Sequence, residues 1–313
     1  MSWLRPAPAS HLQTLNAWCA SVGPPWLHTV AAPETPADII VVVSWNMNVG
    51  RGSLDSLLAF LHEHLKELGQ GRVAMVFMLQ EVHRSGTDVP ESPRFPKASA
   101  DAIRPRPGAP DITEVARTHG LSAIYVPSMR NGTRAVERQD RGNAILSTEQ
   151  LRTPVAIELP FGKQRRVTVA ATVDGIQFIS THFDPGRDRV AQAEALARVD
   201  LPSLAGTVVA GDLNSVEGTN DGTYKALAGR YAVEACGGNR THAWPWRFEL
   251  LFGGWVGRLD HVFTTLPDGR WSKQCSTIPH FFGSDHRPIL LVLQRTTATS
   301  GTLAAESTTW RAR

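Results

Sequence analysis

The chain has 313 residues, 42% of them apolar, which is enough for one large domain with a substantial core. A formal net charge of +3 is compatible with an anionic substrate but does not require one. The three cysteines are far apart and form no Cys-x-x-Cys pair, which argues against a zinc module and a disulfide-stapled secreted fold, although one disulfide can still form. No apolar run approaches the length of a membrane span, and polar residues interrupt the N-terminal stretch where a signal peptide needs an apolar core. We therefore expect a cytoplasmic protein.

The two ends of the chain differ in composition from its middle. Residues 1–37 are rich in Pro, Ala and Trp without a periodic pattern, so we interpret them as an N-terminal extension that either packs on the domain or is partly mobile. Residues 296–313 are rich in Thr, Ser and Ala, a composition that predicts a disordered tail. We expect residues 38–295 to form the functional domain.

The domain begins with a strand–helix–strand pattern. Residues 39–45 form a continuous apolar and β-branched run, which is typical of a strand buried on both faces. Leucines at helical spacing follow from Leu54 to Leu68, and Ser53 can cap the start of this helix. A second apolar run at residues 73–79 predicts another buried strand, so the three segments form a βαβ-like unit.

The rest of the domain reads mostly as strands. Residues 84–110 contain six of the 21 prolines and predict a long loop that either faces the substrate or is disordered. Asp111 can cap a short helix that ends at Gly120, and Asp174-Gly175 is a strong hairpin signal. The predicted strands are 123–127, 142–147, 165–173, 176–182, 207–211, 259–265 and 288–294, with helical patterns near 188–201 and 221–228. This order predicts two sheets packed face to face and covered by helices.

Six short polar signatures stand at the ends of these strand-like runs. They are Ser44-Trp45-Asn46-Met47-Asn48, Leu79-Gln80-Glu81-Val82, Ser180-Thr181-His182-Phe183-Asp184, Ala210-Gly211-Asp212-Leu213-Asn214-Ser215, Arg258-Leu259-Asp260-His261 and Gly283-Ser284-Asp285-His286-Arg287-Pro288. Carboxylates, carboxamides and imidazoles at the mouth of a sheet suit a hard divalent cation beside a phosphate ester. Because the signatures span the chain, they indicate one assembled active site.

Three of these residues form a candidate metal site. Asn46 and Glu81 end two adjacent predicted strands, so their side chains emerge at the same edge, and Asp285 precedes a strand that can run alongside. Oxygen ligands without cysteine favour Mg²⁺ or Mn²⁺ over Zn²⁺. A single Asn or Asp at a strand end is more often a turn former, but Glu81 closes an apolar run and needs a partner.

Five further residues are candidates for catalysis. Asp212 and Asn214 flank a leucine and point to one side of an extended segment, which suits a water-polarising carboxylate beside a carboxamide; an Asx turn explains the same pattern. Asp260 lies among apolar residues and can orient the imidazole of His286. His182 ends a predicted strand, where a lone histidine is more often structural than catalytic.

A basic and aromatic segment extends from Asn239 to Trp255 and includes Arg240, Trp244 and Trp246. Such a mixture can clamp a phosphate backbone and stack on bases. It can equally pack its own aromatic rings as a small satellite core. We predict substrate contacts from these three residues.

Taken together and in this order, the six signatures resemble the endonuclease/exonuclease/phosphatase superfamily of Mg²⁺-dependent phosphoesterases, which includes deoxyribonuclease I, apurinic endonucleases, inositol polyphosphate 5-phosphatases and neutral sphingomyelinases. The resemblance spans residues 39–294, and residues 141–147, with Asn143, are similar to a strand that many members carry; we add Asn143 to the predicted substrate contacts. It implies a deoxyribonuclease I-like α/β fold, a four-layer sandwich of two mainly antiparallel sheets flanked by helices, with the site at one edge of the paired sheets.

The resemblance also implies roles for the site residues. Asn46 and Glu81 look like the family's metal-site residues, with Asp285 nearby. Asp212 matches the carboxylate that activates the attacking water, and Asn214 the carboxamide that positions it.

Three further positions match residues that act on the phosphate. Asp260 and His286 resemble an Asp–His pair that serves either as base or as phosphate stabiliser, and His182 matches a histidine that contacts the scissile phosphate. One position departs from the pattern, because apurinic endonucleases usually carry Asp where this chain has Asn48, so abasic-site specificity does not follow.

We therefore expect a divalent-metal-dependent phosphodiesterase that uses activated water to hydrolyse P–O ester bonds, as an endonuclease or exonuclease on nucleic acid, without an obligate protein partner. One alternative is a phosphomonoesterase or lipid phosphodiesterase of the inositol-phosphate phosphatase or sphingomyelinase type. An alternative of another class is a non-catalytic binding domain, which the filled polar positions disfavour. A calcineurin-like phosphatase is also disfavoured, because its Gly-Asn-His and Gly-His-x-His segments are absent from the sequence.

Overall fold

The computed structural model describes most of the chain. It covers residues 1–68, 71–91, 100–101, 105, 108–131, 138–215, 217–237, 240–243 and 257–296. The predicted tail beyond residue 296, much of the predicted proline-rich loop, and both Trp244 and Trp246 lie outside these residues.

The described residues form short helices and a large number of strands. The strands are β1 (Ser2–Leu4), β2 (Trp26–His28), β3 (Ile39–Asn46), β4 (Val73–Ser85), β5 (Ala100–Asp101), β6 (Ser122–Asn131), β7 (Gln139–Ser147), β8 (Arg152–Glu158), β9 (Val167–Val173), β10 (Ile176–His182), β11 (Thr207–Asp212), β12 (Ala232–Val233), β13 (Asp260–Thr264), β14 (Trp271–Thr277) and β15 (Ile289–Arg295). The helices are α1 (Leu12–Cys19), α2 (Leu54–His64), α3 (Ile112–Thr118), α4 (Arg189–Arg198) and α5 (Gly222–Ala228), with 3₁₀ turns at Ala9–His11, Leu65–Leu68 and Gly218–Asn220.

These strands form two sheets. The seven-stranded sheet has the order β1-β8-β9-β10-β11-β13-β12, and the eight-stranded sheet has the order β14-β15-β3-β4-β7-β6-β2, with β5 paired to β6. Most neighbours are antiparallel, and the parallel pairs are β1/β8, β10/β11, β3/β4 and β5/β6. The parallel pair β3/β4, joined through α2, is the βαβ-like unit that the sequence predicted.

The two sheets pack face to face with helices outside. The apolar run of β3 is continuous because its alternate residues face two different apolar layers. Val42 faces the core between the sheets, with Phe178 of the other sheet, whereas Val43 faces the outer side with Leu57 of α2. A third apolar cluster packs α4 and α5 on the outer face of the seven-stranded sheet, through Leu196 among others. The predicted four-layer sandwich is therefore confirmed.

The N-terminal segment covers one end of this sandwich. Strand β1 pairs with β8 at the edge of the seven-stranded sheet, and β2 pairs with β6 at the edge of the eight-stranded sheet. Between them, the Gly23 amide donates to the buried carboxylate of Asp140, which also binds Arg84 and Tyr125. The extension thus packs on the domain and covers edge strands that would otherwise expose unpaired backbone groups.

A disulfide joins the sheets at the opposite end. Cys236 follows β12, the last strand of the seven-stranded sheet, and Cys275 lies in β14, the last strand of the eight-stranded sheet. Their Cα atoms are 4.3 Å apart although the two residues are 39 positions apart in sequence. A backbone bridge between Gly237 and Ser276 continues the connection. The one disulfide that the cysteine spacing left open is thus present.

Candidate active site

Predicted site residues of both sheets lie at one edge of the sandwich, most of them at strand ends. On the seven-stranded sheet, His182, Asp212 and Asp260 occupy the same register on β10, β11 and β13. On the eight-stranded sheet, Asn46 ends β3, and Glu81 lies on the neighbouring strand β4. Strand pairing within each sheet and the packing of the two sheets together bring residues as far apart in sequence as Asn46 and Asp260 to this edge.

Asp212 lies at the centre of the cluster. Its Oδ2 accepts a hydrogen bond from Asn46 Nδ2 at 2.9 Å, which joins the two sheets. The same oxygen is 3.5 Å from His182 Nε2 and 3.8 Å from His286 Nε2. Because Glu81 Oε1 is 3.9 Å from His182 Nδ1, the carboxylates and imidazoles of both sheets form one continuous cluster.

The segment after β11 is a tight turn. The Asn214 amide donates to Asp212 Oδ1 at 2.8 Å, and Asn214 has a left-handed backbone with a φ of 51°. Its side-chain amide donates to the Phe183 carbonyl at 2.8 Å and lies 3.3 Å from His182 Nε2. The Asx turn and the shared direction of the two polar side chains therefore occur together, although the sequence presented them as alternatives.

Gly211 allows β11 to lie close to β10. Its φ is 152°, and a Cβ atom at this position would lie 1.8 Å from the Thr181 carbonyl oxygen. Only glycine therefore allows β11 to approach β10 closely enough to bring Asp212 beside His182.

His286 forms a buried pair with Asp260. Its Nδ1 lies 2.8 Å from Asp260 Oδ2, and its carbonyl accepts a hydrogen bond from the Trp45 indole at 2.9 Å. Burial alone lowers the pKa of His286, but the charge of Asp260 and its hydrogen bond raise that pKa to about 10. Although burial raises the pKa of Asp260, the neighbouring His286 holds it below its usual value.

The pKa of Asp212 moves in the opposite direction. Burial and the nearby charge of Asp260 raise the pKa of Asp212 to about 6, against the opposing effects of His286 and of the hydrogen bonds from Asn214 and Asn46. Asp212 is thus a carboxylate with a pKa close to neutrality, while its neighbour Asp260 stays ionised. Two carboxyl groups whose surroundings separate their pKa values in this way are typical of acid–base sites.

The short segment 240–243 connects Asp260, at the start of β13, to the loop before β15 that carries His286. The Thr241 hydroxyl accepts from the Asp260 amide at 3.2 Å, and the Thr241 carbonyl accepts from the Arg287 amide at 2.6 Å. His242 places its Nε2 3.7 Å from Asp285 Oδ2, and its ring is 4.6 Å from the ring of His286. The sequence gives Thr241 and His242 no individual role, because both lie within the basic and aromatic segment that is predicted to contact substrate.

Glu81 occupies a strained position. The β4–β7 register shifts between Leu79 and Val82, and Glu81 at this bulge has a φ of 51°. Bulges and left-handed non-glycine residues are common beside functional sites, where they redirect a side chain. The bulge turns the carboxylate of Glu81 toward His182.

Asp285 is held at the same edge of the sandwich by a hydrogen bond of its neighbour Ser284. The Ser284 hydroxyl donates to the Asn46 carbonyl at 2.6 Å, which ties the loop before β15 to the end of β3. The Asp285 side chain is 41% exposed, whereas His286 is buried, so the two adjacent residues face different surroundings. Burial acts to raise the pKa of Asp285, but its hydrogen bond with His242 and the charge of His286 lower it.

Two groups of neighbouring donor atoms are candidate sites for a divalent cation, and neither of them contains Glu81. Ligand atoms of Asp212, Asp260 and His286 lie within 4.8 Å of one another, and so do those of His242, Asp285 and His286. The first group has two carboxylates, which suit Mg²⁺ or Mn²⁺, whereas the second has one carboxylate and two imidazoles. His286 belongs to both groups and could bind a cation only after losing a ring proton. Burying two carboxylates side by side is unfavourable, and a bound cation would offset this repulsion.

Arg166 is a buried cation that sequence reasoning missed. Its Nη1 lies 3.0 Å from His182 Nδ1, and its Nε lies 3.6 Å from Asp184 Oδ1. Burial and then the charge of Arg166 hold the pKa of His182 well below its usual value. The only sequence signal was the pair Arg165-Arg166 at the start of an otherwise apolar strand.

The predicted substrate contacts lie in different surroundings. Asn143 is buried and donates to the Val167 carbonyl at 2.9 Å, so its amide connects the two sheets. Arg240 lies beside Gly257, and its carbonyl accepts from Arg287 at 3.4 Å. Substrate binding by these residues stays a prediction.

Comparisons with known proteins agree with this geometry. The model of the Endonuclease/Exonuclease/phosphatase family matches residues 43–286. A search of curated proteins finds no match. Among solved structures, an endonuclease/exonuclease/phosphatase from Beutenbergia cavernae DSM 12333 is similar, with 18% identity, a TM-score of 0.53 and coverage of 82% of this chain and 72% of that one.

A second structure has the same fold. It is an endonuclease/exonuclease/phosphatase family protein from Leptotrichia buccalis C-1013-b, with 14% identity, a TM-score of 0.54 and coverage of 82% of this chain and 100% of that one. Identities this low show the fold alone, whereas the family model covers most of the chain, from the end of β3 to His286. The chain therefore belongs to the endonuclease/exonuclease/phosphatase family.

Proposed function

We propose that the chain is a divalent-metal-dependent phosphodiesterase that hydrolyses a P–O bond of nucleic acid with an activated water. Members of the family are hydrolases that act on phosphoester bonds, which supports the reaction class. The observation that carries the proposal is the buried cluster around Asp212, in which one carboxylate of raised pKa faces two imidazoles and a carboxamide.

Asp212 acts as the general base. A pKa of about 6 leaves its carboxylate ionised at neutral pH and keeps it basic enough to take a proton from water. Asn46 holds Oδ2, and the Asn214 amide holds Oδ1, so the carboxylate is fixed before the substrate binds. The Asn214 side chain lies beside His182 and positions the water.

His286 stabilises the phosphate. Its raised pKa keeps the imidazole protonated at neutral pH, and Asp260 fixes Nδ1–H so that Nε2–H points toward Asp212 and the space where the phosphate binds. A fixed cation that faces developing negative charge in a buried site stabilises the transition state. His182 contributes a second contact to the phosphate.

Asn46 at the end of β3, Glu81 at the bulge within β4 and Asp285 in the loop before β15 would hold Mg²⁺ or Mn²⁺. When bound, such an ion neutralises charge on the phosphate oxygens. Glu81 is the strongest candidate ligand, because its bulge orients a partly exposed carboxylate toward the cluster.

Nucleic acid is the proposed substrate, through Arg240 and the aromatic residues that follow it. Phosphomonoesters and phospholipids are the alternatives within the same chemistry. Among the described residues, no helix is both long and apolar enough to cross a bilayer. A cytoplasmic location stays a prediction, and the Cys236–Cys275 disulfide weighs against it, because such bonds persist in oxidising compartments.

A substrate panel tests the proposal. Supercoiled plasmid, labelled single- and double-stranded oligonucleotides, inositol phosphates and sphingomyelin are each incubated with Mg²⁺ and, in parallel, with a chelator. We expect Mg²⁺-dependent cleavage of the nucleic acids that the chelator abolishes. Turnover of only the inositol phosphates or sphingomyelin would contradict the proposed substrate, and turnover that survives the chelator would contradict the metal dependence.

A further inference from the structure

We propose that Arg166 is a positioning residue that holds His182 in the tautomer with its proton on Nε2, so that His182 serves as a hydrogen-bond donor to the phosphate. The role toward the phosphate rests on the proposed function. The tautomer itself follows from contacts in the protein and needs no assumption about the substrate.

The contact between the two side chains defines where the proton lies. Arg166 Nη1 is 3.0 Å from His182 Nδ1, and both side chains are buried. A guanidinium group only donates hydrogen bonds, so Nδ1 must be the acceptor. A neutral imidazole carries a single ring proton, which is therefore on Nε2.

The surroundings of Nε2 are consistent with this tautomer. Two groups lie near it, Asp212 Oδ2 at 3.5 Å and Asn214 Nδ2 at 3.3 Å. Both ring nitrogens cannot accept at once, so the Asn214 amide and Arg166 cannot both donate to the ring. The Arg166 contact is shorter and charge-assisted, and the Asn214 amide already donates to the Phe183 carbonyl at 2.8 Å. An Nε2 proton also faces an acceptor, the Asp212 carboxylate.

The Arg166 side chain is fixed in place by its own partners. Its Nη2 donates to Gln164 Oε1 at 2.9 Å, and its Nε faces Asp184 at 3.6 Å. Asp184 is anchored in turn, because its Oδ2 accepts from the Lys163 amide at 2.6 Å. The guanidinium is therefore pre-oriented toward His182, and it does not depend on substrate for its position.

A competing partner shows what Arg166 prevents. Glu81 Oε1 lies 3.9 Å from the same Nδ1 and would accept a proton from it. Without the guanidinium, the imidazole would carry its proton on Nδ1, directed at Glu81. Its Nε2 would then be a bare acceptor, which repels a phosphate oxygen. Arg166 thus favours the tautomer whose Nε2 donates a hydrogen bond to a phosphate oxygen over the tautomer whose Nε2 repels it.

The tautomer is measurable in the wild-type protein without substrate. The 11 histidines are labelled with ¹⁵N, the protein is kept at neutral pH with a chelator, and the His182 signals are identified by their loss in His182→Gln. Protonated and bare ring nitrogens differ clearly in ¹⁵N shift. We expect a neutral His182 with its proton on Nε2. A proton on Nδ1, or on both nitrogens, would overturn the proposal.

Variants of Arg166 then test the consequence for turnover. Arg166→Met removes the donor, and we expect the His182 proton to move to Nδ1 and kcat to fall roughly 10²–10³-fold, as when one donor to developing charge is lost, while KM changes little. Arg166→Lys keeps a charged donor and should restore the Nε2 proton and much of kcat. Failure of the lysine variant to do better than the methionine variant would contradict the proposal.

The adjacent arginine provides a matched control. Arg165 is equally buried, but its Nε binds Glu158 at 2.6 Å and its Nη1 binds the Pro127 carbonyl. Arg165→Met should lower the stability while leaving both the His182 tautomer and kcat as in the wild type. If Arg166→Met does not fold, the wild-type spectrum still decides the tautomer. Absence of phosphoesterase activity beside an Nε2-protonated His182 would refute the proposed function and leave the tautomer established.

Discussion

Replacing Asp260 by Asn removes the charge that keeps His286 protonated. The two side chains are 2.8 Å apart and buried, and Asn keeps the size and one acceptor oxygen of the carboxylate. The folded-state pKa of His286 is about 10, against an ordinary value of 6.5. Because the pKa of His286 is higher in the folded than in the unfolded protein, its protonation stabilises the fold. This stabilisation is complete below about pH 6.5 and is lost as the pH rises through about 10.

The size of the effect follows from the same two values. A pH of about 7 is about three units below the folded-state pKa of His286. This difference corresponds to about 4 kcal/mol of stabilisation as an upper limit. At about pH 10 nearly all of it is gone. Removing a buried carboxylate also relieves its own desolvation, so we expect Asp260→Asn to lower the free energy of unfolding by about 2–4 kcal/mol at neutral pH.

Urea unfolding across this pH range measures the effect. Wild type and Asp260→Asn are compared from pH 6.5 to pH 10 in the presence of a chelator, so that no cation competes for the carboxylates. The difference between them should be largest at the neutral end and shrink steadily toward pH 10. Asp184→Asn removes another buried carboxylate. Burial lowers the pKa of its partner Arg166, but a guanidinium stays protonated in proteins, so the effect of this variant should not vary with pH. A difference for Asp260→Asn that is constant with pH would refute the reasoning.

Two substitutions and one labelling experiment have defined outcomes. Gly211→Ala places a Cβ 1.8 Å from the Thr181 carbonyl, so we expect loss of activity and a lower melting temperature; wild-type values would contradict the close approach of β10 and β11. Thiol labelling of the unreduced, unfolded chain should detect Cys19 alone, and labelling of all three cysteines would contradict the disulfide. Cys275→Ser should lower the free energy of unfolding by about 4 kcal/mol, the loop-closure value for a separation of 39 residues; urea titration measures it, and an unchanged midpoint would contradict it.

Much of the fold could be predicted because its central elements have strong local patterns. The apolar run of β3 is buried on both faces, Ser53 caps α2 by accepting from the Ser56 amide, and the Asp174-Gly175 turn joins β9 to β10. The leucine spacing predicts one helix from Leu54 to Leu68. In the structure α2 ends at His64, and a 3₁₀ turn covers Leu65–Leu68.

The strands missing from the sequence prediction lie at or near sheet edges. Strand β14 exposes Ser272, Lys273 and Gln274, so it has no apolar run, and β8 contains Pro154 and opens with exposed residues. Strands β1 and β2 have three residues each, which is too short for any periodic signal.

The sequence predicted which residues of the strand-end signatures enter the site, but not which residues hydrogen-bond to them and fix their positions. The strand-end signatures contain Asp212 and His286, whose side chains do meet. The partners that fix these residues carry no local signature: Arg166 and Thr241 act through contacts with residues at least 16 positions away. Such contacts depend on strand register, which a single sequence does not specify residue by residue.

Phosphodiester hydrolysis by wild type and Asp212→Asn, measured with saturating Mg²⁺ on the best substrate of the panel, tests the central claim most directly. Asn has the shape of Asp but cannot take a proton from water, so we predict loss of turnover in a variant whose circular dichroism and melting temperature show an intact fold. Turnover of Asp212→Asn at the wild-type rate would contradict the account.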